Sequence, residues 1–360
     1  MEYRDDVKAV VLAAGVGSRL DPLTSQIPKP LVPIANIPVM EHLIRLLARH
    51  NIRDVHANLH YMPEKITKYF GNGSDWDVDL NFMHEVRLSG DAGGVRALKQ
   101  YLKDSTFVVL MGDLLTDADL TKIVAEHKAK GALASIALKQ VPKEELNRFG
   151  VVVTNDEGYI TGFQEKPQAD EALSDKISTG IYVFEPEIFN YMPEQGELGF
   201  GRQVFPKLIE LGLPLLGIEI DDYWSDVGTI QQYREANFDA VKGLMKIDCA
   251  GNRSVLHQNG VVTFAEGVVI DPGCSIKGSV VLGRNSRIGH GTIISGHVVI
   301  GENCVIEPGA FIKDSVIWAN NHIQSGANLE NSVICSDSVC DPITKPVNVS
   351  RTAELAAQAA

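Results

Sequence analysis

Residues 7–30 read VKAVVLAAGVGSRLDPLTSQIPKP, an apolar run that empties into glycines, an arginine and a proline-flanked lysine. Val7 to Ala14 has the composition of a buried strand. Gly15 and Gly17 follow it, and glycine lets backbone N–H groups approach a phosphate with no Cβ in the way. Arg19 and Lys29 add mobile positive charge, and Pro28 and Pro30 restrict the backbone that carries the lysine. Such a segment is suited to a nucleoside triphosphate. A Gly-x-Gly pair also occurs in plain tight turns, and Leu20 stands where a dinucleotide fingerprint has its third glycine.

Outward from that stretch, short apolar runs alternate with amphipathic ones. Val55 to Leu59, Phe107 to Met111, Ala134 to Leu138 and Ile181 to Phe184 read as strands. Pro38 to His50, Asp119 to Lys130, Arg202 to Leu211 and Ile230 to Val241 read as helices. Alternation of this kind implies an α/β domain, a Rossmann-like mixed and mostly parallel sheet flanked by helices, with ligands at the carboxyl ends of its strands. The expected domain spans residues 1–244.

From Phe264 the period changes. Positions 264, 270, 276, 282, 288, 294, 300, 306 and 312 are Phe, Ile, Ile, Leu, Ile, Ile, Ile, Ile and Ile. An apolar residue at every sixth position fits neither an α-helix nor an alternating strand. It is the signature of a parallel β-helix, expected over 263–344 after a 245–262 linker. The ladder then slips by one, to Ile317, Ile323 and Leu329, which reads as a corner adjustment within a continuing fold. The 345–360 tail ends in AELAAQAA and could be a short helix or frayed.

Composition sets limits. The 360 residues suffice for two cores, and 33 basic against 46 acidic residues give a net charge of −13. That disfavours nucleic acid or an anionic membrane as partner and leaves phosphate ligands open, because a local basic pocket can oppose the global field. No signal peptide or membrane span is expected, and the five cysteines, without a CxxC, read as free thiols in a cytoplasmic protein. Asp113 follows the 107–111 strand and Asp226 precedes a helix. Two carboxylates beside a triphosphate would hold Mg²⁺, and each alone is equally an ordinary turn or cap residue.

The segments LAAGVGSRLDPLTSQIPKPLVPIANIP, NLHYMPEKI, GDLLTD, RFGVVVTNDEGYITGFQEKP, STGIYVFEPEIF, VFPKLIELG and YWSDVGTIQQYREAN lie between residue 10 and about residue 238. In that order they resemble the sugar-1-phosphate nucleotidyltransferases (nucleotide-sugar pyrophosphorylases), closest to the mannose-1-phosphate guanylyltransferase-like branch. A C-terminal left-handed parallel β-helix also occurs in that family. The resemblance implies an enzyme that joins an NTP to a sugar 1-phosphate and releases pyrophosphate, with GTP and mannose 1-phosphate as first expectation. A glucose-1-phosphate enzyme using UTP, dTTP or ATP is the alternative.

Carried over, the resemblance places backbone at Leu12, Ala13, Ala14, Gly15, Gly17 and Ser18 on the nucleotide, with Asp91 and Gly93 from a second loop. Arg19 would meet the leaving phosphates and Lys29 the α-phosphate. Asp113 and Asp226 would ligate Mg²⁺, Gly150, Glu165 and Thr179 would line the sugar, and Lys166 would hold its phosphate. The attacking phosphate oxygen is already ionised at neutral pH, so positioning and charge stabilisation suffice without a general base.

Two positions depart from the family pattern. A Gly-Thr-Ala-Gly type loop is replaced by SGDAGG at 89–94, and Asp91 would repel a triphosphate unless it turns away or meets metal or base donors such as a guanine edge. Ser178 stands where an asparagine commonly precedes Thr-Gly. These departures motivate a second reading, a silent homologue that binds a nucleotide sugar for regulation. A third would make the β-helix an acyltransferase using His290, His297 or His322. Packing against the catalytic domain or in a homo-oligomer is the expected role of the β-helix.

Overall fold

The computed structural model describes residues 7–246, 253–257, 260–335, 338–339 and 349–351. By proximity the chain forms two compact units. The first holds residues up to Val16, Pro28–Pro30 and Met40–Trp224, and the second holds Gly17–Ile27, Leu31–Val39 and everything from Ser225. The expected 345–360 tail lies almost wholly outside the described residues, as do Cys249 and Cys340. Inside the expected 245–262 linker, Arg253–His257 is a strand antiparallel to Gly260–Phe264.

In the first unit, a nine-stranded sheet runs in the order Ile160–Glu165, Gly150–Thr154, Lys176–Phe184, Phe107–Met111, Lys8–Leu12, Asp54–Leu59, Asp79–His84. Ala134–Gln140 pairs with both Lys176–Phe184 and Leu215–Glu219. Pairings around Lys8–Leu12 are parallel, as the βαβ alternation requires. Lys176–Phe184 is antiparallel to each of its neighbours, so the sheet is mixed. The expected strands and helices form within a few residues of their predicted limits. One differs in kind. The 202–211 helix begins as a π-turn over Phe200–Val204 and becomes α-helical only at Phe205–Glu210. Pro206 has no N–H to give the Arg202 carbonyl, so the helical register restarts there. An aromatic core of Phe107, Tyr182, Phe184, Phe200 and Phe205 packs this helix on the sheet.

The second unit contains the parallel β-helix. Its aliphatic ladder forms three stacks in register. One runs Ile276–Ile294–Ile312–Leu329, another Ile270–Ile288–Ile306–Ile323, and the third Phe264–Leu282–Ile300–Ile317–Ile334. The one-residue slip is visible as a coil shortened by one residue, after which pairing continues. Corner residues explain why the repeat survives. Gly278, Gly296, Asp314 and Asn331 stack at one corner with φ of 112°, 72°, 44° and 53°. A Cβ on Gly278 would lie 2.0 Å from the Gly296 carbonyl oxygen, so that position tolerates only glycine. At another corner Asn285, Asn303 and Asn320 adopt the same left-handed region, and their amides link as a ladder at 3.3 and 3.1 Å.

Also within the second unit, the tight hairpin Pro33–Pro38 is strapped to helix Ile230–Lys242 and to the β-helix. Asn237 Oδ1 accepts from the Ala35 N–H (2.9 Å), the Tyr233 hydroxyl donates to Pro33 O (2.8 Å), and Asn36 Nδ2 donates to Ile300 O (2.8 Å). Trp318 Nε1 donates to the Tyr233 hydroxyl at 2.7 Å, which joins the β-helix to the same strap. Among the described residues no helix is long and apolar enough to cross a membrane.

Candidate active site

Two parallel strands end side by side, with Leu12 opposite Met111. The Gly112 N–H then donates to Leu12 O at 2.9 Å. A Cβ on Gly112 would lie 2.6 Å from that oxygen, so glycine is what lets the strand ends close. This brings the 12–15 loop next to Asp113. Beside them lies a cavity of about 310 Å³, lined by Leu12–Gly15, Lys29, Asn58, Glu85, Asp91, Asp113 and several neighbours. Gly15 is exposed, and a Cβ there would meet nothing within 4 Å. Among the described residues, the N–H groups of Ala14 and Gly15 have no protein partner. Consecutive unpaired N–H groups on a cavity wall are what an anion needs.

Lys29 is 8% exposed, and its Nζ meets Asp113 Oδ2 at 2.6 Å. In the sequence these two residues read separately, one for phosphate and one for metal; the fold pairs them. Against this one lysine the cavity presents Glu85, Asp91, Asp113 and Glu197. Asp91 is less repulsive than the sequence implies. Its Oδ1 accepts from the Ala92 and Phe200 N–H groups at 2.7 and 2.8 Å, and burial raises its pKa. Gly93 does not line the cavity. Its N–H donates to Leu198 O at 3.1 Å, and its missing side chain makes room for Ser89, which a Cβ would approach to 2.8 Å.

The residues expected around the sugar gather elsewhere in the first unit, outside the cavity lining. Glu165 sits opposite Gly150 in an antiparallel pair, and the Lys166 N–H donates to Phe149 O at 3.1 Å. Lys166 and Glu165 are exposed. Thr179 is 1% exposed, and its hydroxyl already donates to Ala137 O at 2.7 Å. The Thr179 carbonyl accepts from Trp224 Nε1 at 2.8 Å, and the same indole packs edge-on to Phe149. Gly180, at φ 79°, touches the cavity through Met111, whose Cγ a Cβ would approach to 2.6 Å. Ser178 Oγ lies 3.3 Å from the Tyr182 hydroxyl.

Gly17, Ser18, Arg19 and Asp226 belong to the second unit. Gly17 takes the left-handed conformation (φ 74°) that starts the Ser18–Leu20 turn, and its carbonyl accepts from Thr24 Oγ1 at 3.0 Å. Arg19 is exposed. A Cβ on Gly228 would lie 3.0 Å from Asp226 Oδ2 and 3.6 Å from the Arg19 guanidinium, so both side chains converge on that glycine. Asp226 Oδ1 accepts from Gln232 Nε2 at 2.9 Å, while Thr229 caps the helix. The β-helix histidines have separate surroundings: His290 on Asp271, His322 on Glu307, and His297 against Phe238. Among the described residues no three His, Cys, Asp or Glu side chains gather as a metal site.

Asn58 and Glu85 went unrecognised in the sequence. Both are buried and both line the cavity. Asn58 stands within NLHYMPEKI, near the end of the expected Val55 to Leu59 strand, where it reads as an ordinary strand residue, and nothing around Glu85 marks it.

A sequence profile described as nucleotidyl transferase matches residues 8–243, and one for the EIF2B subunit epsilon LbH domain matches residues 259–359. The chain therefore belongs to the nucleotidyl transferase family. A UTP–glucose-1-phosphate uridylyltransferase from Synechocystis is 36% identical, across 96% of this chain and 92% of that one. A mannose-1-phosphate guanylyltransferase from Mycobacterium tuberculosis is 32% identical, across 79% and 77%. A glucose-1-phosphate adenylyltransferase from Clostridioides difficile is 30% identical, across 81% and 82%. Among solved structures, a Bacillus anthracis protein described as a glucose-1-phosphate thymidylyltransferase, crystallised with sucrose, superposes with a TM-score of 0.60. Its identity is 26%, covering 67% of this chain and 96% of that one. The guanylyl specificity expected from the sequence is one of several among these relatives.

Proposed function

We propose that the protein transfers a nucleotidyl group from an NTP to a hexose 1-phosphate, with UTP and glucose 1-phosphate as its pair. The observation that carries the choice is the 36% identity to a uridylyltransferase across nearly the whole of both chains. Asp91, the residue the sequence offered as a guanine acceptor, already takes two backbone N–H groups, which weakens the case for GTP. GTP with mannose 1-phosphate is the second reading. It is favoured by the guanylyltransferase relative.

In this reading, Leu12, Ala13, Ala14, Gly15, Gly17 and Ser18 hold the nucleotide, Arg19 the leaving pyrophosphate and Lys29 the α-phosphate. Gly150, Glu165 and Thr179 line the sugar and Lys166 takes its phosphate. The Thr179 hydroxyl is bonded to Ala137 O and its carbonyl to Trp224 Nε1, so packing is the contribution left to that residue in this role. Asp113 and Asp226 would hold Mg²⁺. Their hard carboxylate oxygens suit a cation that binds one or two carboxylates plus phosphate oxygens. A cavity with one lysine and four carboxylates also favours a divalent cation before it accepts a triphosphate. When bound, the ion would neutralise phosphate charge in an in-line displacement.

Pyrophosphate release from UTP, GTP, ATP and dTTP, each against glucose, mannose and N-acetylglucosamine 1-phosphates with Mg²⁺, tests both readings. Release with no pair would overturn the enzyme, and nucleotide-sugar binding without turnover would establish the regulatory homologue instead. Light scattering tests the expected homo-oligomer.

A further inference from the structure

Glu85 is 7% exposed and has no lysine or arginine partner among the described residues. Its charge is met by neutral donors. Oε1 accepts from Asn58 Nδ2 at 2.6 Å, and Oε2 accepts from the Ser89 N–H at 3.0 Å and the Ser89 hydroxyl at 2.6 Å. Asn58, 3% exposed, spends its other atom on the nucleotide loop: Oδ1 accepts from the Ala13 N–H at 2.9 Å. The chain Ser89–Glu85–Asn58–Ala13 thus ties together three stretches that line one cavity.

The SGDAGG segment, a departure from the family loop, has a packing reason in this chain. A Cβ on Gly94 would lie 2.5 Å from Asn58 Nδ2 and 3.2 Å from Glu85 Oε1, while a Cβ on Gly93 would strike Ser89. The two glycines let helix Asp91–Ala97 close over the chain of hydrogen bonds and bury it. Burial in turn makes the bonds strong and their loss costly.

We infer that Asn58 and Glu85 are positioning residues for the nucleotide loop. By taking the Ala13 N–H, Asn58 fixes where the loop leaves the strand, and the unpartnered Ala14 and Gly15 N–H groups remain for phosphate. Glu85 holds the Asn58 amide in the one orientation that presents its oxygen to Ala13, since its carboxylate can only accept. This inference rests on the proposed nucleotide-binding role of residues 12–15.

The test is a polarity swap. Asn58→Asp keeps an acceptor for Ala13 but sets a carboxylate against Glu85. The expected result is a rise in KM for UTP or GTP of about 10- to 100-fold, the scale of one charge-assisted hydrogen bond. KM for the sugar 1-phosphate should stay within about 3-fold. Adding Glu85→Gln to Asn58→Asp restores a donor facing the new carboxylate while a glutamine oxygen still faces Ser89, and the nucleotide KM should return towards wild type. Titration calorimetry with UTP and GTP, without sugar phosphate, reads the same loss directly. Ser89→Ala, at a half-buried position, supplies a milder variant should Asn58→Asp not fold; it should weaken nucleotide binding a few-fold and leave the sugar-phosphate KM alone. Unchanged nucleotide affinity in Asn58→Asp and Ser89→Ala overturns the inference. So does a double variant that regains thermal stability but not nucleotide affinity, because the bonds would then be structural only. If wild type binds no nucleotide, the functional reading fails first and this inference with it.

Discussion

Asp113→Asn probes both halves of the proposed chemistry. The perturbation removes one charge and keeps the shape. In the structure Lys29 Nζ and Asp113 Oδ2 lie 2.6 Å apart, and the side chains are 10% and 29% exposed. At an effective dielectric near 20, the attraction over that distance is about 6 kcal/mol before desolvation is subtracted. Breaking a buried pair by removing one partner typically costs about 3–5 kcal/mol. Asp113 is partly solvated and asparagine can still accept from the lysine, so the loss should fall lower, about 1–3 kcal/mol. For a chain of this size that is a Tm decrease of a few degrees, readable by circular dichroism. Turnover should fall much further, by at least about 100-fold, because the variant loses a proposed metal oxygen and loosens Lys29 together. Pyrophosphate release at saturating Mg²⁺ measures it. Turnover within about 3-fold of wild type would falsify the placement of Asp113 in the site. An unchanged Tm would refute the weight assigned to the ion pair.

Three further outcomes are expected. Glu185 has its pKa lowered, first by the hydrogen bond from buried His127 and also by Thr106, with burial opposing. A depressed carboxylate stabilises the fold above its unfolded pKa of about 4.3 and loses that contribution as pH falls through the lower folded value. The Tm gap between wild type and Glu185→Gln should therefore be full above about pH 5 and shrink below it; a gap that stays the same across that acid range counts against the pair. Ile294 is fully buried between Ile276 and Ile312. Ile294→Ala should cost about 2–5 kcal/mol in denaturant unfolding of the β-helix, and a cost below about 1 kcal/mol would mean the ladder is loosely packed there. Cys304 donates to Trp318 O at 3.0 Å, and burial pushes its thiol up to about 12. It should resist alkylation in the native protein and react after denaturation, as peptide mass mapping would show.

Some of the site could be read because the chemistry and the backbone ask for the same residues. Gly15 and Gly17 mark a strand end, and the strand does stop just before them, at Leu12, with the turn made at Gly17 through its left-handed φ. Lys29, set between prolines, proved to be held in place, though by Asp113, more than eighty residues away. Asp91 shows the limit. Sequence could register its charge but not the Phe200 N–H that meets it, because that donor arrives from a distant turn. Thr179 is similar. Its hydroxyl is consumed by a neighbouring strand's carbonyl, which only the sheet order reveals.

By itself, then, the sequence determined what depends on local repetition. The six-residue ladder fixed the β-helix, because each coil buries the same position against its neighbours, and strand–helix alternation fixed the parallel half of the sheet. Even the slip after Ile312 was visible as a change of step. Tertiary structure alone decided what depends on side chains meeting across long separations. It paired Lys29 with Asp113, turned Asp91 towards backbone donors, and buried Glu85 and Asn58 behind the nucleotide loop. Those contacts carry no periodicity, and a buried carboxylate looks in sequence like any surface one. Its burial and its partners come from strands and helices that only the finished fold brings together.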